Sequence, residues 1–195
     1  SMTAGRTLSD ARKRAMTVFR REVKARTIRI TEDERGLVIS LIDAAYFNPG
    51  SALLTPELED VLKKSSGLVK ELDRYTRIEG HASKGEDQFI TGARQTGRGE
   101  RTYANTWDLA GTRAINALLF LQNQGVKGDL MQAGSYGSYR PMADEGDRGT
   151  PESAAHNRRI DIVILPHKIP ERSKSESGFG LPKTRLPGFD TLIPE

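Results

Sequence analysis

The chain has 195 residues, 30 of them Lys or Arg and 26 Asp or Glu, for a formal charge of +4, and it contains no Cys. That length suits one compact domain of roughly 120 to 150 residues with flanking segments. The lack of Cys excludes disulfide scaffolds, thiolate metal sites and cysteine nucleophiles, and leaves the redox compartment open. No stretch approaches the roughly 20 consecutive apolar residues of a membrane-spanning helix; the longest, Ala114 to Leu121, is interrupted by Asn116. The leading Ser1-Met2 reads as an expression scar, which leaves room for a signal peptide or anchor trimmed from the natural protein.

Charge is concentrated at the start. Residues 1–30 carry nine Lys or Arg against Asp10 and Glu22, a surplus of +7, so the remainder is near −3. Leu8, Ala11, Ala15, Phe19 and Val23 recur at intervals of three and four, which predicts an amphipathic helix capped by Ser9 or Asp10. Its cations surround the helix without interleaved aromatics, so a solvated helix docked by its apolar stripe is favoured over an arm for nucleic acid or anionic lipid.

From Thr27 the period changes to two. Thr27–Ile30 and Leu37–Ile42, joined by a polar turn ending in Gly36, predict a β-hairpin. Thr55-Pro56-Glu57 is a helix start, with the helix running to about Leu72. Tyr75–Gly80 reads as a strand, and Lys84–Ala104 as a mobile loop with no sustained period. A long helix begins near Trp107 and ends near Gln124-Gly125, with Trp107 and Ala114 on its buried face. A strand over Leu130–Tyr136, a loop over 137–149, a short helix from Pro151 to about Asn157 and a final strand from Ile160 to Leu165 complete the pattern. The chain thus divides into a basic helix and linker over 1–30, a domain over 31–166 and a Pro/Gly-rich tail over 167–195.

Familiar catalytic signatures are missing. Gly134-Ser135-Tyr136-Gly137 lacks the third glycine of a dinucleotide fingerprint and the Gly-Lys-Ser/Thr of a P-loop, and no Gly-x-Ser-x-Gly occurs. His81, His156 and His167 have no metal-ligand spacing, and His81 at a strand end reads as a packed histidine. Polar residues at element ends remain: Ser83, Arg113 and Asn157-Arg158-Arg159. Arg113 falls at the border of the long helix's buried face, where a guanidinium fork either turns to solvent or binds a carboxylate bidentately; spacing alone leaves these two readings level.

These residues carry a resemblance. Tyr46–Glu57 (YFNPGSALLTPE), Ile78-Glu79-Gly80-His81, Trp107–Ala114 (WDLAGTRA), Gly134–Pro141 and Asn157–Ile162 (NRRIDI) follow one another as in the OmpA-like peptidoglycan-binding domain. That module is shared by outer-membrane protein A, peptidoglycan-associated lipoproteins and the stator protein MotB. Coverage is about residues 37 to 165, and the Phe-x-x-Gly-Ser and Trp-Asp-Leu forms resemble the MotB branch.

The resemblance implies an α+β fold, a β/α sandwich whose mixed sheet of four to five strands carries two main helices on one face, here with an added N-terminal helix. It implies a non-enzymatic module of the periplasm or cell envelope of a diderm bacterium, alone or within a larger envelope or stator protein. Its partner would be the diaminopimelate-containing peptide stem of peptidoglycan, bound without cofactor or metal. No nucleic-acid partner is implied, homodimers or envelope proteins are further partners, and membrane attachment would come only through segments outside this chain. In the family an aspartate takes the ligand's ammonium and a helix arginine its carboxylate. The arginine is Arg113, the Asn-Arg-Arg segment adds Arg158 and Arg159, and Asn105 and Thr106 fall at the family's asparagine position. The aspartate position holds Ser83, so the ammonium needs another acid: Glu86, Asp87 or Asp108. The alternative expectation is a divergent scaffold that has lost wall binding through Ser83 and serves protein assembly.

Overall fold

The computed structural model describes residues 7–90, 102–142 and 146–166, so the tail over 167–195 and most of the predicted 84–104 loop lie outside the described residues. Helix α1, Leu8–Val18, opens with a capping box in which Thr7 and Asp10 satisfy each other's backbone amides. Ala11, Ala15 and Phe19 along its stripe are fully buried, and a second short helix, α2 (Arg20–Lys24), leads into the sheet. The predicted hairpin is β1 (Ile28–Asp33) and β2 (Gly36–Leu41), paired antiparallel with Glu34-Arg35 at the turn. Helix α3, Pro56–Leu72, is capped by the Thr55 hydroxyl with Pro56 in its first turn. There follow β3 (Thr76–Gly80), a 3-10 turn over Lys84–Phe89, α4 (Thr106–Asn123), β4 (Met131–Ser135), α5 (Pro151–Asn157) and β5 (Ile160–Ile164).

The five strands form one mixed sheet in the order β1-β2-β5-β3-β4. Strand β5 runs antiparallel to both of its neighbours, and β3 and β4 are parallel across the α4 crossover, since parallel strands cannot be joined by a tight turn. Period-two alternation sends Leu37, Ile39, Leu41, Ile78, Ile160, Ile162 and Ile164 to one face, where they meet Phe19, Leu58, Leu62, Val69, Ala114, Ala117 and Leu121 of the helices in a single core. Each of these large aliphatic side chains contributes about 1.5–3 kcal/mol by leaving water. No helix among the described residues is long and apolar enough to cross a membrane.

The opposite face is polar at its centre. Glu79 and Asp161 are buried there and paired with Arg35 (2.8 Å to Glu79) and Arg159 (3.1 Å to Asp161). The structure corrects the expected orientation of α4. Its buried face is Thr106, Leu109, Ala110, Arg113, Ala114, Ala117 and Leu121. Trp107 lies outside it, 47% exposed and stacked on Tyr139 with ring centroids 5.2 Å apart. One residue is about 100° of helix, so counting the stripe from Thr106 instead of Trp107 carries Arg113 from the border into the interior.

Candidate functional site

Strand β3 ends against α4 at Gly80, where an added Cβ would come 1.8 Å from the Ala110 carbonyl oxygen. Only glycine permits this approach, and it sets Arg113, one turn further along α4, beneath the His81 backbone. Arg113 is completely buried. Its Nε donates to Ser51 O (2.9 Å), Nη1 to His81 O (3.1 Å) and Glu86 Oε1 (2.9 Å), and Nη2 to Asn48 O (3.4 Å) and Glu86 Oε2 (2.5 Å). All five donors of the guanidinium are therefore used. The Phe47 ring covers the group at 4.8 Å from its centroid, a cation–π contact that needs no further polar partner.

Glu86 is equally enclosed, at 2% exposure. Besides the bidentate contact with Arg113, its Oε1 accepts from Ser83 N (2.9 Å) and its Oε2 from Gly50 N (2.8 Å). Its position comes from a capping box: Ser83 opens the 3-10 turn and Glu86, three residues later, reaches back to the Ser83 amide. Of the acids expected to replace the missing aspartate, Glu86 is thus the one joined to Arg113. Asp87 is exposed on the same turn, and Asp108 accepts from Ala104 N (3.1 Å) at the start of α4.

Ser83, 1% exposed, also donates its hydroxyl to Asp147 Oδ2 (3.3 Å), which accepts from Lys84 N at 2.8 Å. Asp147 comes from the loop after β4 and is half-buried. Asn157 and Ser153 hold that loop through the Gly146 carbonyl (2.9 and 3.3 Å) and the Arg148 amide. Sequence reasoning missed Asp147, and no local motif marks it, because its place depends on a loop path fixed 64 residues away from Ser83. The Glu86 contact did have a signal, the Ser-x-x-Glu spacing of a capping box at Ser83-Lys84-Gly85-Glu86.

The other expected residues divide. Thr106 is buried, with its hydroxyl 3.3 Å from that of Ser138, and Asn105 is the exposed N-cap of α4, accepting from Asp108 N (2.9 Å). Arg158 is half-buried and donates to Phe47 O at 3.4 Å. Burial pushes its pKa down, Glu86 opposes this, and Arg113 adds to the lowering, so Arg158 shares the field of the buried pair. Arg159 does not join them: it turns to the opposite face of the sheet, bonded to Asp161, Asn157 and the Arg140 carbonyl.

That opposite face holds a cavity of about 660 Å³ bordered by Arg35, Arg77, Tyr136, Arg140 and His81. His81 is buried and stacked on Tyr136 at 5.4 Å. Its Nε2 lies 3.3 Å from Asp161 Oδ2 without hydrogen-bond alignment, and burial pushes its pKa down, which favours the neutral imidazole. Burial alone would raise Asp161, but Arg159 and the charges around it hold this carboxyl well below the usual range.

A profile of the OmpA family matches residues 46–158. Motility protein B of Bacillus subtilis (strain 168) is 28% identical over 141 residues, which are 71% of this chain and 49% of that protein. Uncharacterized protein YtxE of the same organism is 27% identical over 137 residues, 70% and 51% respectively. The chain therefore spans about half the length of the curated relatives it matches. Among solved structures, the cell wall anchor of the T6SS from Pseudomonas aeruginosa superimposes with a TM-score of 0.62 at 18% identity, over 80% of this chain and 99% of that one. The periplasmic domain of Helicobacter pylori MotB gives 0.58 at 18%, over 71% and 82%. At that identity the two structures show a shared fold.

Proposed function

The chain belongs to the OmpA family, and we propose that it is a non-catalytic cell-envelope module of the MotB type that anchors to peptidoglycan through the peptide stem, a reading supported by its likeness to Motility protein B. One observation carries this reading: the arginine at the family's ligand position presents two parallel N–H groups that already hold a carboxylate bidentately. In this account the stem peptide's amino-carboxylate group meets Arg113 with its carboxylate and an acid beside Ser83 with its ammonium. Asp147 supplies that acid, since its Oδ2 sits on the Ser83 hydroxyl. Arg158 adds positive potential to the carboxylate side, while Thr106 and Asn105 stay at the start of α4, engaged with Ser138 and with the Asp108 amide. Localisation in the periplasm or cell envelope follows from the same reading.

A charge-assisted hydrogen bond is worth roughly 1.5–3 kcal/mol. Asp147→Asn should therefore reduce co-sedimentation with purified diaminopimelate-type sacculi by about tenfold or more, with a modest drop in melting temperature because Asp147 also holds the Ser83 hydroxyl and the Lys84 amide. Equal sedimentation of the two proteins would remove Asp147 from the site. A second reading, a scaffold that has lost wall binding and serves protein assembly, is favoured by the full occupancy of Arg113. It requires that the wild type fail to sediment with sacculi at any concentration tested.

A further inference from the structure

We infer that Glu86 is an internal stand-in for the ligand: it fills a carboxylate site built around Arg113, and an incoming carboxylate enters by unseating the Lys84–Phe89 turn. This rests on the anchoring reading above and adds its regulation. The three contacts from Arg113 to main-chain carbonyls of Asn48, Ser51 and His81 come from the fixed frame, while the two to Glu86 come from a six-residue turn. A buried guanidinium without an anion is strongly disfavoured, so the fork always holds a carboxylate, either the chain's own or a ligand's.

The two partners are anchored very differently. Arg113 stands on an 18-residue helix packed into the core. The turn around Glu86 exposes Lys84, Gly85, Asp87, Gln88 and Phe89. Its ties among the described residues include the Asp147 contact to Lys84 N, packing against α4 and the Phe89 side chain lying over Gly50, whose added Cβ would come 2.6 Å from Phe89 Cβ. Exchange of Glu86 for a ligand carboxylate replaces one bidentate pair with another, so its cost is the unseating of the turn. It also releases the Gly50 and Ser83 amides, both now donating to Glu86, as two further donors for the ligand carboxylate. The site therefore selects a carboxylate carried next to an ammonium, because a simple carboxylate gains nothing beyond what Glu86 already supplies.

The test is Glu86→Ala in the full chain, with acetate as the probe. The variant should melt lower than wild type in chloride and recover in acetate at equal ionic strength, whereas wild type should not respond to acetate. If the variant does not fold in chloride, folding in acetate is the same positive result. No acetate-dependent recovery in melting temperature or folded yield would overturn the inference. With a diaminopimelate-containing muropeptide, the variant should bind about tenfold or more tightly than wild type, and muropeptide bound to wild type should increase hydrogen exchange at the Lys84 and Glu86 amides, whose bonds to Asp147 and to the Ser83 carbonyl belong to the seated turn. Wild-type binding with those amides still protected would also overturn it. Acetate recovery without muropeptide binding by either protein would uphold the internal carboxylate and reject the anchoring reading.

Discussion

At Ser83 a single hydroxyl stands where the resemblance leads one to expect a carboxylate, and the Asp147 carboxylate lies 3.3 Å from it. Ser83→Asp would bring two carboxylates together in a site of low exposure, where like charges raise each other's pKa. The variant should gain less than about threefold in muropeptide affinity and should melt below wild type. A gain of more than about tenfold, read by calorimetry, would show that the wild-type site lacks an acid. Arg113 itself was legible in part. Its residue type and motif pointed to carboxylate binding, but solvent and ligand readings stood level because helix spacing fixes a face only to within one residue. The interior position depends on Gly80 letting α4 close onto β3. Asp147 was not legible, since its contact spans two loops whose paths only the assembled domain determines.

The elements themselves could be read closely, because their ends carry local chemistry. Thr55 and Pro56 start α3, the Thr150 hydroxyl and Pro151 start α5, and Gly125 at φ +96° follows the end of α4. The segment predicted as one helix over the basic stretch is instead α1 and α2, meeting at Phe19. The apolar stripe explains the docking: Ala11, Ala15 and Phe19 join the same core as β2 and α3, and the cations remain outside, with Arg14 reaching Glu71 at 2.9 Å. Phe19→Ala should destabilise the whole domain by about 3–5 kcal/mol, seen as a single shifted denaturant transition. A loss below about 1 kcal/mol would mean that these helices are dispensable to the fold.

Over the whole molecule, the sheet separates two charge systems, the Arg113–Glu86 pair under the helices and the Glu79–Asp161 cluster on the opposite face. Three groups there make stability depend on pH. Burial lowers the His81 pKa, and hydrogen bonds from Arg35 lower that of Asp33. Asp161 is lowered too: burial would raise it, but Arg159 prevails. Each folded pKa below its unfolded value means stability present above the unfolded pKa and lost as pH falls. Stability should thus be level above pH about 7, decline below about 6.5 as the unfolded chain takes up the His81 proton, and fall again below about 4 with Asp161 and Asp33. Urea midpoints across this range check it, and a rise in stability between pH 7 and 6 would mean that Asp161 holds His81 protonated. A carboxylate-and-ammonium site at the end of β3 should show itself in calorimetric titration of the full chain with diaminopimelate-containing muropeptide, beside Asp147→Asn. Wild type should bind saturably and the variant about tenfold or more weakly; absent heat from wild type, or equal affinity in both, would rule the site out.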